Sequence, residues 1–483
     1  MKQILFHSTN NKNKKVTFKT GLLEGLASDY GLYMIDRKDV PKLSEKQIEG
    51  MKSKSYADIS FDVLYPYLGS EIPGNKLKEL LDDAYDEKVI PTKIQPVTGK
   101  SHIMWLSNGP TYSFKDYAAR FFGRTLNYFL IVDKKRRIVF VATSGDTGGA
   151  VADALFGLDN VDVVIFYPKD SISDEQRRQM TTLKGNVYAI PVNGDFDVCQ
   201  ELSKKLLGDK EFAYKLFKDR ERFTSANSIS LGRLLPQSVY PFYAYSRVSE
   251  NGEPFIASVP SGNFGDMMGT ILAKEMGLPV GKILCGVNEN NEFPIFLDTG
   301  KYIIKPTKVS PSYAMNVSDA SNLRRLFDFY GGHLFDERDA NGNVIKAGVI
   351  RKMPDLQQMI MDIFSMSVSN EQHYETMKKV FDDYGIIIEN HGAVAWKTLD
   401  TFLEGNHDKL AVAYETANPG KFPEDIKKAI KRYPNTPKGI KKQATLEERT
   451  YELKSNPDII NGSKRLSQAQ YKEAKEMLSQ IYS

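Results

Sequence analysis

Lys115 stands in Asn108-Gly109-Pro110-Thr111-Tyr112-Ser113-Phe114-Lys115-Asp116-Tyr117-Ala118-Ala119-Arg120, where a Gly-Pro turn gives way to a helical pattern. A helix N-terminus carries about half a positive charge, and that potential together with burial lowers the pKa of an ammonium. A neutral amine can condense with an aldehyde; an ammonium cannot. Most lysines that open a helix lie on the surface, so the chemistry depends on three further loops. Ser261-Gly262-Asn263-Phe264-Gly265-Asp266 has glycines that let a phosphate approach the backbone and, at the start of the next helical pattern, amides that point at it. It is not a P-loop, because no Gly-Lys-Ser/Thr follows, and it lacks the dinucleotide fingerprint G-x-G-x-x-G. Ser144-Gly145-Asp146-Thr147-Gly148, preceded by Thr143, has the same build with hydroxyls and suits a carboxylate ligand. Thr416 closes a third β-branched run, where a hydroxyl can bond a ring nitrogen of a cofactor lying across strand ends.

The elements that must position these loops alternate between strand and helix. Arg137 to Thr143 reads as a strand feeding a helix that runs through Leu155 and stops at Gly157. Val161 to Tyr167 and Val187 to Val192 follow as strands, with Asp195 or Asp197 placed to cap the next helix. Phe255 to Pro260 precedes a helix from Met267 to Met276, then a strand from Lys282 to Val287; Leu410 to Thr416 precedes a helix beginning near Pro423. This is the signature of parallel α/β sheets, in which ligands bind outside the carboxyl ends of strands. The first 92 residues carry helical patches, notably Asn75 to Tyr85, and few convincing strands. The expected organisation is an N-terminal, mainly helical domain over 1–92, a large cofactor-binding domain over 93–135 and 225–483, and a small mobile α/β domain over 136–224.

The 483 residues, 41% of them hydrophobic, suffice for two or three domains with sizeable cores. With 65 Lys plus Arg against 61 Asp plus Glu, the net charge of +4 points to neither a nucleic-acid nor a membrane partner. Cys199 and Cys285 are too few for a disulfide framework or a cysteine metal site, so no metal is expected and a reducing, cytoplasmic setting is. The opening apolar run is too short for a signal peptide, and no stretch of about 18 apolar residues exists to span a bilayer. Lys438 to Lys442 reads as a solvated surface, balanced by Glu447 and Glu448. Asp339-Ala340-Asn341-Gly342-Asn343 lacks the later oxygen ligands of a calcium loop and reads as an Asn-Gly hairpin turn.

Four segments together, Gly109-Pro110-Thr111-x-x-Phe114-Lys115-Asp116, Ala142 to Gly148, Val259 to Asp266 and Thr416-Ala417-Asn418-Pro419-x-Lys421-Phe422, resemble the threonine synthases. The order and wide separation of the four carry the resemblance. It implies the tryptophan synthase β-like fold, with two open parallel sheets flanked by helices and an extra N-terminal helical domain. It also implies pyridoxal 5'-phosphate as cofactor and the conversion of O-phospho-L-homoserine and water to L-threonine and phosphate, by a monomer or homodimer. By the same resemblance, Lys115 is the catalytic lysine that holds the cofactor as a Schiff base. Gly262, Asn263, Phe264, Gly265 and Asp266 are its phosphate loop, and Thr416 the partner of its ring nitrogen. Ser113, Thr143, Ser144, Gly145, Asp146 and Thr147 fall to the substrate, and Asn227 and Arg233 to the substrate's own phosphate, for which a forked guanidinium is suited. Asn108, Asn418 and Gly420 depart from the pattern, standing where many relatives have His, His and Ala. His391 reads as a packing or capping histidine. A lyase on the same scaffold, releasing a 2-oxo acid and ammonia, is the alternative that these motifs leave open.

Overall fold

The computed structural model describes residues 2–339, 342, 344–460 and 462–482. Among them, six strands form one sheet in the order Ile363–Ser367, Val280–Val287, Phe255–Pro260, Ala411–Glu415, Ser101–Trp105, Lys93–Thr98. All neighbours pair in parallel except Lys93–Thr98, an antiparallel edge strand that reaches Ser101–Trp105 through a tight turn at Gly99, where φ is +53°. Every residue of Phe255–Pro260 and Ala411–Glu415 is buried, as near-continuous apolar strands are when both faces of a parallel sheet are covered. Because Ser101–Trp105, Ala411–Glu415 and Phe255–Pro260 are successive parallel neighbours, the loops leaving their carboxyl ends open side by side along one edge.

A second, wholly parallel sheet of four strands runs Val187–Val192, Val161–Pro168, Arg137–Ala142, Phe223–Ser225. Its first helix, Asp146–Leu155, begins directly after the hydroxyl-rich loop and packs against Lys115–Asp133. The approach is close: a Cβ on Gly123 would come 2.9 Å from the Ala154 carbonyl oxygen. Two parallel sheets flanked by helices are what the sequence predicted, and the strand limits agree to within two residues.

The N-terminal region differs from its prediction in one respect. Tyr56–Leu68 and Gly74–Ala84 are helices, but Phe6–Ser8 pairs antiparallel with both Asn11–Val16 and Tyr33–Met34 to make a small sheet. Asn11–Val16 escaped notice because Asn-Lys-Asn-Lys-Lys-Val has no apolar alternation; it is a lysine-rich edge strand, which discourages further pairing. Tyr56 packs its ring 5.0 Å from those of Tyr85 and Tyr117 and 5.2 Å from that of Tyr243, which fastens this region to the helix carrying Lys115.

The C-terminal stretch is a second departure. It was expected within the large unit over 225–483, yet Leu453, Tyr471, Ala474 and Leu478 join Ile138, Val164, Ile190 and Phe223 in the core beneath the four-stranded sheet. Helix Gln468–Tyr482 has an apolar stripe, which periodicity reveals; the sheet that stripe covers is a tertiary matter that periodicity does not. Strands His333–Arg338 and Val344–Lys352 pair antiparallel as a hairpin, while Ala340, Asn341 and Asn343 of the expected turn lie outside the described residues.

Candidate active site

Lys115 is the first residue of its helix, and the loop before it is laced to the loop after Ala411–Glu415. The Phe114 amide donates to the Thr416 carbonyl oxygen at 2.8 Å, the Asn418 amide to that of Tyr112 at 3.0 Å, and Ser113 forms an isolated bridge with Ala417. Lys115 and Thr416 are thereby fixed to one another by the main chain. The buried Ser113 hydroxyl accepts the Lys115 amide at 3.4 Å, so it shapes the helix start. Asp116 holds the same loop from inside: its carboxyl accepts the Thr111 amide at 2.9 Å and the Thr111 hydroxyl at 2.5 Å.

The Lys115 ammonium lies over the Phe114 ring, with Nζ 4.7 Å from its centre and 4.0 Å from Asp146 Oδ2. Burial pushes its pKa below the usual lysine range; Asp146 opposes this, and Lys421 and Arg233 add to it. Asp146 is engaged elsewhere. Its Oδ1 accepts from Lys421 Nζ at 2.6 Å and from Gln176 Nε2 at 3.0 Å. Lys421, whose side chain is 0% exposed, also donates to the Thr111 carbonyl oxygen at 3.0 Å. Against the cost of burial, Lys421 and Lys115 together hold the Asp146 carboxyl well below the ordinary carboxylate range.

The other loops are built for backbone presentation. Thr143 does not offer its hydroxyl outward: Oγ1 accepts the Gly145 and Gly148 amides, each at 2.9 Å, and donates to the Gly145 carbonyl at 3.1 Å. What faces outward from this loop is Ser144, which is exposed, and half-buried Thr147. In the other sheet, Phe264 takes a left-handed conformation with φ +60°, and helix Gly265–Glu275 starts at once after it. Gly262 lies under a strap: a Cβ there would be 2.7 Å from both the Ala314 carbonyl oxygen and Met315 Cα. Asn263 spends its side chain on the Ser228 hydroxyl and on the Ser321 amide, 2.7 Å away, so it holds the loop in place. Asp266 accepts the Met267 amide at 2.9 Å through Oδ1, while Oδ2 is buried without a partner, and burial pushes its pKa up to about 7.

Arg233 is buried, with Nη1 donating to the Ala226 carbonyl at 2.7 Å and Nε without a partner. Among the described residues no carboxylate is bonded to it, so its charge is available to an anion. Asn227 binds main chain instead: its amide donates to the Ala142 carbonyl at 2.7 Å and accepts the Ala142 amide at 3.2 Å. The structure thus gathers Asp146, Arg233 and Asp266 within electrostatic reach of Lys115, whereas the polar side-chain atoms of Thr143, Asn227 and Asn263 bond to their surrounding framework. Among the described residues no cluster of His, Cys, Asp and Glu could hold a metal ion.

The chain matches two family models, the threonine synthase N terminus over residues 5–85 and pyridoxal-phosphate dependent enzymes over residues 102–412. Threonine synthase from Escherichia coli is 32% identical over 441 residues, which cover 91% of this chain and 94% of that one. The chain belongs to the threonine synthase family. Crystal structures of threonine synthases agree in fold: that from Brucella melitensis, solved with bound pyridoxal phosphate, gives a TM-score of 0.85 at 28% identity, covering 99% of each chain. That from yeast gives 0.84 at 28% identity, covering 100% of this chain and 99% of its own. Pyridoxal phosphate is therefore the cofactor to test against the site. A lysine of lowered proton affinity, a helix start with glycine access, and a strand-end threonine tied to that lysine make a donor set that fits it.

Threonine synthase motifs also explain what residue-type reasoning passed over. Lys421 lies in the segment that follows Thr416, but a lysine with no exposed surface is something no composition rule signals. His391 is a framework residue: Nδ1 meets Glu389 Oε2 at 2.6 Å and Nε2 accepts the Ala314 amide at 3.1 Å, which holds the strap over Gly262. Asn418 accepts the Gly420 amide at 2.9 Å and closes the turn that delivers Lys421.

Proposed function

We propose that the chain converts O-phospho-L-homoserine and water to L-threonine and phosphate, with Lys115 holding pyridoxal phosphate. The observation that carries this reading is the placement of Lys115: a mostly buried amine of lowered proton affinity, where the loops bearing Thr416 and Asp146 converge. Amides at Gly262 to Asp266 would hold the cofactor phosphate, and Thr416 its ring nitrogen. The cofactor supplies an electron sink. First-turn amides of Asp146–Leu155, with Ser144 and Thr147, take the substrate carboxylate, a role that helix-start amides perform without a cation. Arg233, buried with donors to spare, takes the substrate phosphate and supports its departure from the γ-carbon. Asn227 supports that site by fixing the end of strand Arg137–Ala142.

Lys115 Nζ moves the protons. Its neutral amine removes the α-proton and returns protons along the carbon chain as phosphate leaves and water adds at the β-carbon. The four-stranded sheet with its helices covers the reacting amine and limits the entry of water. Two buried, free cysteines support a reducing setting, and we place the enzyme in the cytoplasm, as a monomer or homodimer that sedimentation would distinguish.

The test is to incubate the chain with pyridoxal phosphate and O-phospho-L-homoserine and to follow phosphate and threonine together. Equal amounts of both are expected. Phosphate accompanied by 2-oxobutanoate and ammonia would replace this reading with a lyase.

A further inference from the structure

Two lysines compete for one carboxylate at the centre of the molecule. Asp146 begins a helix of the four-stranded sheet, while Lys115 and Lys421 leave the edge of the six-stranded one. Lys421 wins. Its Nζ is 2.6 Å from Asp146 Oδ1 with no exposure to solvent, and it has two further acceptors, the Thr111 carbonyl at 3.0 Å and Gln179 Oε1 at 3.4 Å. Lys115 is left at 4.0 Å from the other oxygen, beyond hydrogen-bonding distance. Gln176 and Gln179 come from helix Asp174–Thr181, also of the four-stranded sheet, and Gln179 Nε2 reaches the same Thr111 carbonyl at 3.0 Å. Each of these Lys421 Nζ bonds therefore either crosses between the two sheets or grips the loop that leads into Lys115.

We propose that Lys421 is a positioning residue that occupies Asp146, so that Lys115 is not locked into an ion pair, and that clasps the four-stranded sheet over the reacting amine. Both functions follow from one geometry. A buried ion pair contributes little net stability compared with apolar packing, so its retention here is explained better by what it arranges than by what it stabilises. The inference rests on Lys115 being the reacting amine, as proposed above. Besides Asp146 and Lys421, the charges that bear on Lys115 are Arg233 and Asp266. Neither is bonded to Lys421 or Asp146, so both stay in place when Lys421 is replaced.

In Lys421→Met, Asp146 has Lys115 as its nearest remaining cation and the two should pair. The experiment uses the full-length chain freed of pyridoxal phosphate, acetylates it with acetic anhydride across a pH series, and reads Lys115 by peptide mass spectrometry. The midpoint for Lys115 should rise by about one pH unit or more in Lys421→Met. It should fall back in Lys421→Met/Asp146→Asn, where no carboxylate remains to pair. Amide exchange in helix Asp146–Leu155 should quicken several-fold in the double variant, where Lys421 is gone and Lys115 has no carboxylate to bridge to, while helix Gly265–Glu275 keeps its protection. If Lys421→Met does not fold, Lys421→Gln serves, since it keeps a donor for Asp146 and removes the charge. An unmoved midpoint in the folded variant overturns the competition, and unchanged exchange in Asp146–Leu155 overturns the clasp. Neither readout uses turnover, so a chain that makes no threonine would defeat the proposed function while leaving this result to be judged separately.

Discussion

At the scale of single residues, Lys115→Ala removes the amine to which the proposed function gives both cofactor attachment and proton movement. Phosphate release should drop by at least about a thousandfold, since general acid–base transfer alone contributes that order of rate. Normal turnover in this variant would end the assignment. Arg233→Met retains most of the buried volume but removes the forked partner proposed for the substrate phosphate, so the KM for phosphohomoserine should rise by tenfold or more, ~1.5–3 kcal/mol for a hydrogen bond to a charged group. Asp116 gives a pH signature. Burial pushes its carboxyl up to about 7, with Asp153 adding to the shift and the two Thr111 donors opposing it. A folded pKa above the unfolded value means that the protonated form stabilises the fold below about pH 4 and that this contribution is lost as pH rises through 7. Asp116→Asn stays neutral throughout. Urea melts at pH 5 and pH 8 should therefore show a smaller loss of stability in the variant than in the parent; equal losses would mean that Asp116 is ionised in the fold across that range.

The residues of the site were legible to different degrees for physical reasons. Lys115, the Ser261 loop and Thr416 announce themselves because each lies where a strand pattern gives way to a helical one, the place where parallel sheets bind ligands. Lys421 was legible as part of a motif but not in its role, because burial is a tertiary property. Thr143 and Asn227 were read as ligand-binding side chains when their polar atoms turn inward to amides and carbonyls of their own neighbourhood, a choice that depends on loop geometry and not on residue type.

At the scale of elements, strands such as Phe255–Pro260 and Val187–Val192 were recovered to the residue because buried parallel strands are largely apolar and give way to polar, glycine-containing loops. Asn11–Val16 was missed because an exposed edge strand need not alternate. The strap over the Ser261 loop yields a prediction of its own. A Cβ at Gly262 meets backbone atoms of Ala314 and Met315 at 2.7 Å, and backbone gives way less easily than a side-chain tip. Gly262→Ala should cost about 1–3 kcal/mol in thermal unfolding and weaken pyridoxal phosphate binding in a fluorescence titration. Unaltered melting would show that the strap yields freely.

At the scale of the whole molecule, the four-stranded sheet depends on residues far along the chain. Leu478 is 1% exposed within its core, so Leu478→Ala should cost about 2–5 kcal/mol. The loss should appear as faster amide exchange in Val187–Val192 before any change in Phe255–Pro260; uniform loosening of both sheets would show that they unfold as one unit.

That same dependence has a consequence for how the protein is made. Tyr471 donates to Asp209 across 262 residues of sequence. A ribosome adds about 5–20 residues each second, so the strands from Arg137 to Ser225 wait on the order of ten seconds or more for the helix that seals them. During that interval their apolar face is open to water and to other nascent chains. Synthesis therefore sets a lower limit on the time this sheet takes to close, and chaperones that shield apolar surface have an opportunity there.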